Sequence, residues 1–218
     1  HYANLVDHNF ITTDPEIFKK QTNVKNVHFI FIPVDKNIEC YNVHKLHPRN
    51  DLFYAMSHGV NRATLKKGKS DSRIHFLNNL VKKIKGINYD FYGFENKEPI
   101  WGDEFYKALI NSKMGLNLSR GLPTKYYSSN RIASLMGNGL LTFIDVKTQL
   151  NDFFKKDEIV FYKNLDDLAD KINYYKKNIL IRKKIAANGK KKYFKLFNEK
   201  KISNYIIKKS FGEKIDLF

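Results

Sequence analysis

Six short apolar segments, separated by stretches with helical periodicity, constrain the fold of this 218-residue chain more than any other feature. Most of them are continuously apolar or aromatic rather than alternating, which is typical of strands that are covered on both faces of a sheet. Strands that alternate with helices form βαβ units. We therefore predict an α/β domain with a doubly wound, mostly parallel, Rossmann-like sheet and extra C-terminal helices. The predicted strands are residues 27–34, 51–57, 89–94, 113–119, 140–145 and 158–163.

Several of the intervening helices carry recognisable end signals. Ser70 or Asp71 is a suitable N-cap for the first helix, and Asn164 is a suitable N-cap for the fourth. The basic C-terminal region is predicted to form two helices that are separated near Phe197 and Asn198. The predicted helices are residues 70–84, 103–112, 128–139, 164–178 and the two that follow residue 179.

The segment 117–131 is the strongest candidate for a binding site. It is a polar, basic loop between a predicted strand and a predicted helix, and ligands of doubly wound sheets lie beyond the carboxyl ends of the strands. Its cations and hydroxyl groups adjoin the unpaired N–H groups of a helix start, which favours a phosphate or diphosphate. The alternative is that its tyrosines pack on the sheet, its serines cap the helix and its cations are solvated. The candidate binding residues are Arg120, Lys125, Tyr126, Ser129, Asn130 and Arg131.

A second basic loop, residues 57–71, follows an earlier strand. Gly59 permits a tight turn at the strand end, and Arg62 and Lys67 are two of the cations that follow. The loop contains a Gly-Lys-Ser triplet, but Ala63 stands where a P-loop requires its first glycine. We therefore expect phosphate binding of another kind, or a solvated basic loop.

Trp101 is the only tryptophan, and it lies in a loop shaped by glycine and proline after the strand 89–94. An aromatic face in such a loop can stack on a nucleotide base, or it can anchor the loop to the core.

A metal site is not expected. Cys40, His44 and His47 offer three zinc ligands, but no fourth ligand is near them in the sequence. The chain also has no Asp-x-Asp pair that could hold a divalent cation against a diphosphate. We predict neither a metal nor a cofactor.

The net charge of +17 predicts an affinity for anions, although a general bias toward Lys, Asn and Ile accounts equally well for part of it. The basic C-terminal helices raise the alternative of a non-catalytic module that binds nucleic acid or an anionic membrane surface. No nucleic-acid motif supports the first of these partners. A single cysteine, no apolar run of about 20 residues and no signal-peptide pattern favour the cytoplasm, with peripheral contact at an anionic membrane left open.

Several motifs in sequence order resemble the nucleotide-sugar-binding half of GT-B glycosyltransferases, and most closely their family-1-like, CgeB-like group. These motifs are SHGVNR…LKKGK, YDFYG, GLNLS, SSNRIASLMGNGLLTFID and a closing R-x-x-I-A-x-x-G. The resemblance covers about residues 27–196 and is strongest over 113–145.

The resemblance implies transfer of a sugar from a nucleotide diphosphate donor to an acceptor, without a metal. It implies that Gly59, Arg62 and Lys67 meet the donor diphosphate, and that Asn130 and Arg131 face the nucleotide. Arg62, Lys67 and Arg131 would stabilise the charge that accumulates on the leaving diphosphate. The resemblance does not identify the acceptor, and a glycan, a lipid-linked glycan and a protein are the alternatives.

The sequence departs from the family pattern in two respects. Many relatives carry a glutamate that binds ribose where this chain has Ser134. The sequence before residue 20 is also too short for the N-terminal domain that holds the acceptor and the general base. We expect residues 1–20 to be the tail of such a domain, 21–196 to bind the donor, and 197–218 to return toward the N-terminal half.

Overall fold

From residue 50 onward, the described helices and strands follow the order expected from the sequence. The structure is a computed structural model that describes residues 2–22, 24–57 and 71–217. The elements are β1 (Asn9–Ile11), α1 (Pro15–Thr22), β2 (Val27–Phe29), β3 (Asn50–Ala55), α2 (Ser72–Lys83), β4 (Tyr89–Tyr92), α3 (Gly102–Ile110), β5 (Ser112–Asn117), α4 (Arg131–Gly137), β6 (Leu141–Asp145), β7 (Val160–Tyr162), α5 (Leu165–Lys177), α6 (Ile179–Phe197) and α7 (Glu199–Ser210).

The main sheet has five parallel strands in the order β4-β3-β5-β6-β7. Consecutive side chains of β3 point to opposite faces. Tyr54 packs with α2 and α5, whereas Phe53 and Ala55 pack with α3 and α4. Helices therefore cover both faces, which explains why the strand sequences are continuously apolar. The doubly wound fold predicted from the sequence is confirmed.

The strand order reverses between β3 and β5. From β3 the chain moves outward to β4, and it then crosses back to β5 before continuing to β6 and β7. Loops at the carboxyl ends of β3 and β5 diverge to opposite faces, so a crevice opens between them.

The first predicted strand is wrong in its extent and its place. Only Val27–Phe29 is a strand, and it pairs in parallel with β1 in a separate two-stranded sheet. The apolar residues that follow serve another purpose. Phe31 is fully buried against Phe153 and Phe197, and the Val34 backbone pairs with Phe197 and Glu199 at the junction of α6 and α7.

The predicted helix caps are present. Asp71 accepts a hydrogen bond from the Arg73 backbone at the start of α2, and Asn164 accepts one from Asp167 at the start of α5. Asn198 caps α7 and marks the break between the last two helices.

The N-terminal segment packs on this domain. Residue 20, the predicted end of a tail, falls inside α1, and β1 is paired with β2. The backbone N–H of Asp14 donates to the Lys125 carbonyl in the loop after β5. None of the described helices is long and apolar enough to cross a membrane.

Candidate functional site

A cleft of about 850 Å³ opens at the carboxyl ends of β3 and β5, where the strand order reverses. One wall is cationic and polar, and the opposite wall is aromatic. The residues of its described part that carry the argument below are Arg73, Trp101, Tyr106, Arg120, Ser129, Asn130, Arg131 and Ser134.

Arg131 joins the two strand ends at the floor of the cleft. Its Nε donates to the Ala55 carbonyl at 2.7 Å, and its Nη1 lies 3.3 Å from the Leu118 carbonyl and 2.9 Å from Ser129 Oγ. The guanidinium also stacks on the Tyr54 ring, 4.6 Å from its centroid. Burial lowers the pKa of the Arg131 guanidinium from its usual value, and the charge of Arg73 lowers it further. Arg131 is therefore both a structural tie and a cation held beneath the cleft.

A second cationic group is organised by Asp71. This N-cap carboxylate is buried, and its Oδ2 accepts from Arg73 Nη2 at 2.6 Å and from Arg120 Nε at 3.3 Å. Burial alone would raise the pKa of Asp71, but the hydrogen bonds and charge of Arg73, with the charge of Arg120, hold it below its usual value. Arg73 Nη2 also donates to the Ser57 carbonyl just beyond β3. The network fixes the strand end and leaves the Arg120 side chain 46% exposed at the cleft.

Ser129 and Asn117 form a polar bridge behind Arg131. Ser129 Oγ donates to Asn117 Oδ1 at 2.9 Å, while the Asn117 amide donates to Ser128 Oγ at 2.6 Å. Asn130 lines the cleft immediately before α4, with helical backbone angles and no side-chain capping bond. The bridge holds the approach to α4 against the end of β5.

The aromatic wall comes from the start of α3. Trp101 immediately precedes this helix and is 67% exposed, so it is an open surface rather than an anchor in the core. Tyr106 lies one turn further along, with its hydroxyl 3.5 Å from Glu39 Oε1. Burial and the neighbouring Glu39 raise the pKa of the Tyr106 phenol. Ser134 lines the cleft on the same side.

Two predicted residues lie outside the cleft. Lys125 Nζ is paired with Asp14 Oδ2 at 2.7 Å. Tyr126 has a left-handed backbone, φ 61°, donates its hydroxyl to Asp152 and packs on Phe153. They hold the loop after β5 against its surroundings and do not contribute to the cationic wall.

Three other predicted residues, Gly59, Arg62 and Lys67, lie outside the described residues. Ser57, the last described residue before them, lines the cleft.

Sequence reasoning did not single out Arg73, Tyr106 or Asn117, although Asn117 is the first residue of the candidate segment 117–131. Each lies inside a predicted helix or strand, where its periodic position gives no sign of a polar role. The one local signal is Asp71-x-Arg73, since an arginine two residues after an N-cap aspartate can fold back onto it.

The three zinc ligands considered from the sequence do not form a metal site. Within residues 2–22, 24–57 and 71–217, no three His, Cys, Asp or Glu side chains are grouped closely enough to hold a metal ion. His44 Nδ1 is buried, faces Gly139 and has no hydrogen-bond partner among the described residues, while Cys40 is exposed.

Fold and cleft together define a Rossmann-like α/β domain with a cationic crevice at its switch point. The chain belongs to the glycosyl transferase-like family, whose sequence model matches residues 71–207. The predicted resemblance to GT-B glycosyltransferases is confirmed by solved structures of the same fold. HepE of Anabaena, in complex with UDP-glucose, is 13% identical with a TM-score of 0.69, and the match covers 96% of this chain and 65% of that one. TarM of S. aureus, in a complex that includes UDP, is 16% identical with a TM-score of 0.67, over 96% of this chain and 45% of that one.

A third similarity concerns sequence alone. A heme chaperone HemW-like protein of Buchnera aphidicola is 30% identical over an alignment of 108 residues, and the match covers 44% of this chain and 28% of that protein. The chain thus spans less than half of TarM and under a third of this curated relative.

Proposed function

We propose that this chain is the donor-binding domain of a glycosyltransferase and that the cleft holds a nucleotide-sugar diphosphate. The observation that carries the proposal is the group of arginines, Arg73, Arg120 and Arg131, at the switch point of the sheet. Asp71 offsets only part of their charge, so the described part of the cleft keeps a net positive charge. A diphosphate matches that charge and the size of the cleft.

The arginines have different tasks in this proposal. Arg120 is exposed enough to contact the ligand directly, and its bond to Asp71 is long at 3.3 Å. Arg131 and Arg73 are held by several bonds each, so their charges are in place before the ligand arrives. When the bond from the sugar to the diphosphate breaks, negative charge grows on the leaving group, and fixed cations lower that barrier. Arg62 and Lys67 remain predicted members of the same charge cluster.

The aromatic wall is the proposed nucleoside side of the cleft. Trp101 presents a face on which a base can stack, while Tyr106 and Ser134 present hydroxyl groups toward a ribose. Because the structures of TarM and HepE were solved in complex with UDP and UDP-glucose, UDP is the first nucleotide to test.

Transfer itself is proposed to require a second, acceptor-binding half. The chain covers under half of TarM, and we assign no general base among its residues. We propose residues 21–196 as the donor-binding part, with 1–20 and 197–218 joining it to that other half. The acceptor is proposed to be a glycan or a glycan-bearing molecule, the reaction to need neither metal nor cofactor, and the site of action to be cytoplasmic.

Isothermal titration of the parent with UDP and UDP-glucose, with a chelator present, tests the proposal. Arg120→Ala should weaken binding about tenfold or more, the loss of a charge-assisted hydrogen bond to phosphate. Lys125→Ala is the matched control, because this cation is paired with Asp14 outside the cleft, and it should bind as the parent does. If no nucleoside diphosphate binds, or if both variants behave alike, the donor-site assignment is wrong.

A further inference from the structure

The end of the sheet opposite the cleft exposes an unusual combination of aliphatic and basic side chains. It is formed where the chain before β3 meets the junction of α5 and α6, around a groove of about 230 Å³. Lys113, at the amino end of β5, lines the same groove. We call this surface the basal face and define it by Lys45, Leu46, Lys177, Ile179, Leu180, Ile181, Lys183 and Lys184.

The aliphatic part consists of four exposed side chains. Leu180 is 84% exposed, and its neighbours Ile179 and Ile181 are 52% and 44% exposed. Leu46 is 43% exposed and lines the groove together with Ile179. Single exposed apolar residues are common, but four of them at one end of the sheet, two of which line the same groove, indicate an interaction surface.

The fold prevents these residues from turning inward. Arg182, the next residue, is buried, and its Nη1 donates to the carbonyls of Tyr175 and Lys176 at the end of α5. Ile185 and Ala186 then pack in the main core. Arg182, Ile185 and Ala186 thus fix the inward-facing side of the first turns of α6. Residues 179–181 are therefore left exposed to solvent.

The charge around this aliphatic group is positive. Lys45, Lys177 and Lys184 are exposed, and Lys183 is half-buried beside the groove. Asp51 lies behind the face, but it is buried and already paired with Lys113 and Lys176, at 2.7 and 2.8 Å. It therefore does little to offset the outer lysines.

We infer that the basal face docks on an anionic lipid bilayer, with Leu180 and its neighbours inserted among the acyl chains and the lysines at the headgroups. Aliphatic side chains flanked by lysines combine the two attractions that hold peripheral proteins at such a surface. Lysines alone would suit nucleic acid equally well, but phosphate backbones offer nothing to three consecutive aliphatic residues. Docking by this face points the cleft away from the bilayer, where it stays accessible.

Vesicle co-sedimentation tests the inference on the full chain. The parent should bind vesicles of phosphatidylcholine with about 30% phosphatidylglycerol, and should bind pure phosphatidylcholine at least about tenfold more weakly. Leu180→Ser and Lys184→Glu should each lower partitioning to the anionic vesicles about tenfold or more. Both side chains are exposed, so the variants should keep the melting temperature of the parent.

Matched controls lie at the other end of the sheet. Leu122→Ser removes an equally exposed leucine, 88%, from the loop after β5, and Lys147→Glu reverses an exposed lysine just after β6. Both should bind vesicles as the parent does. No binding by the parent, equal binding to both vesicle types, or losses in the controls as large as those in the basal variants would each overturn the inference. It would also be overturned if Leu180→Ser dissociated a dimer, because a second copy would then cover the face.

Discussion

Arg131 Nε donates to the Ala55 carbonyl at 2.7 Å, so an arginine of α4 closes the end of β3 at the switch point of the sheet. The same guanidinium reaches Leu118 beyond β5 and stacks on Tyr54. A residue whose sequence context indicates ligand binding is thus also part of the framework that forms the cleft.

We predict that Arg131→Ala lowers the free energy of unfolding by about 2–4 kcal/mol, because it removes the hydrogen bonds to the Ala55 carbonyl and to Ser129 Oγ and the stacking contact with Tyr54. Arg131→Lys should recover only part of this loss, since one ammonium group cannot reproduce the forked contacts. Urea unfolding curves measure both. Arg120→Ala is the control, and its half-exposed side chain should contribute less than about 1 kcal/mol. Equal losses at positions 120 and 131 would show that Arg131 is not a structural tie.

Asp71→Asn should keep the helix cap but leave Arg73 buried without its counter-ion. The free energy of unfolding should therefore fall by about 3 kcal/mol at neutral pH. The pKa of Asp71 is lowered in the folded protein, so its contribution is fully present above the unfolded pKa of about 3.9 and disappears as pH falls through the folded pKa. The difference in the free energy of unfolding between the parent and Asp71→Asn should therefore become smaller below about pH 4. Asp166→Asn, at an exposed ion pair with Lys83, should change stability by less than about 0.5 kcal/mol. A difference that is independent of pH would contradict the role of the charge.

Gly189→Ala should destabilise the protein by about 1–3 kcal/mol, although alanine normally stabilises a helix interior relative to glycine. An added Cβ on α6 would overlap the Glu158 carbonyl oxygen and would lie 3.2 Å from Met136 Cε. Thermal unfolding measures the change, and Lys191→Ala at a neighbouring exposed position should have little effect. A more stable Gly189→Ala variant would mean that α6 packs less closely than described.

The histidine pair between β1 and β2 should make stability fall in mild acid. His8 Nδ1 and His28 Nε2 are 3.0 Å apart, so the bond requires one neutral ring. Burial lowers the pKa of His28, and the charges of His8, Lys209 and Lys19 lower it further. The contribution of neutral His28 to the free energy of unfolding is present above the unfolded pKa of about 6.5. It is lost as pH falls through the pKa that His28 has in the folded protein.

Urea unfolding of His28→Gln between about pH 7 and pH 5 should accordingly show a smaller loss of stability than the parent. His47→Gln changes an exposed histidine and should follow the parent curve. Identical slopes for the parent and His28→Gln would exclude this pair as the source of acid sensitivity.

Ser134→Glu tests the departure from the glycosyltransferase pattern. A carboxylate at this cleft position can accept hydrogen bonds from ribose hydroxyls, and we expect nucleotide affinity to rise about tenfold. Titration with UDP measures the change, and Ser134→Gln separates the effect of charge from that of size. Unchanged affinity in both variants would place the ribose elsewhere.

Most of the framework was predictable because it depends on local pattern. Continuous apolar runs predicted the five strands of the main sheet. Asp71, Asn164 and Asn198 each lie at a helix start, where the side chain accepts a capping hydrogen bond from the backbone. The prediction of a main-sheet strand at residues 27–34 was wrong. Phe31 and Val34 are apolar because they pack against α6 and its junction with α7, not because they belong to the sheet.

The candidate site was only partly predictable. Arg120, Ser129, Asn130, Arg131 and Trp101 do meet in the cleft, since loops at the carboxyl ends of parallel strands converge. Lys125 and Tyr126 come from the same loop yet turn away, because Asp14 and Asp152 offer them partners that are distant in sequence. Arg73 enters from the first turn of α2, where only its spacing from Asp71 distinguishes it from a solvated residue.

The sequence by itself determined the doubly wound sheet, the positions of most helices and the strand ends at which a ligand would lie, because these depend on periodicity and on neighbouring residues. Only the tertiary structure decided which charges face the cleft and which are already neutralised. That choice depends on contacts such as Arg73 with Asp71 and Lys125 with Asp14, where packing sets the distance and burial sets the strength of the pair. The same holds for the basal face, whose exposed leucine and isoleucines could equally well have been core residues until Arg182 fixed the start of α6.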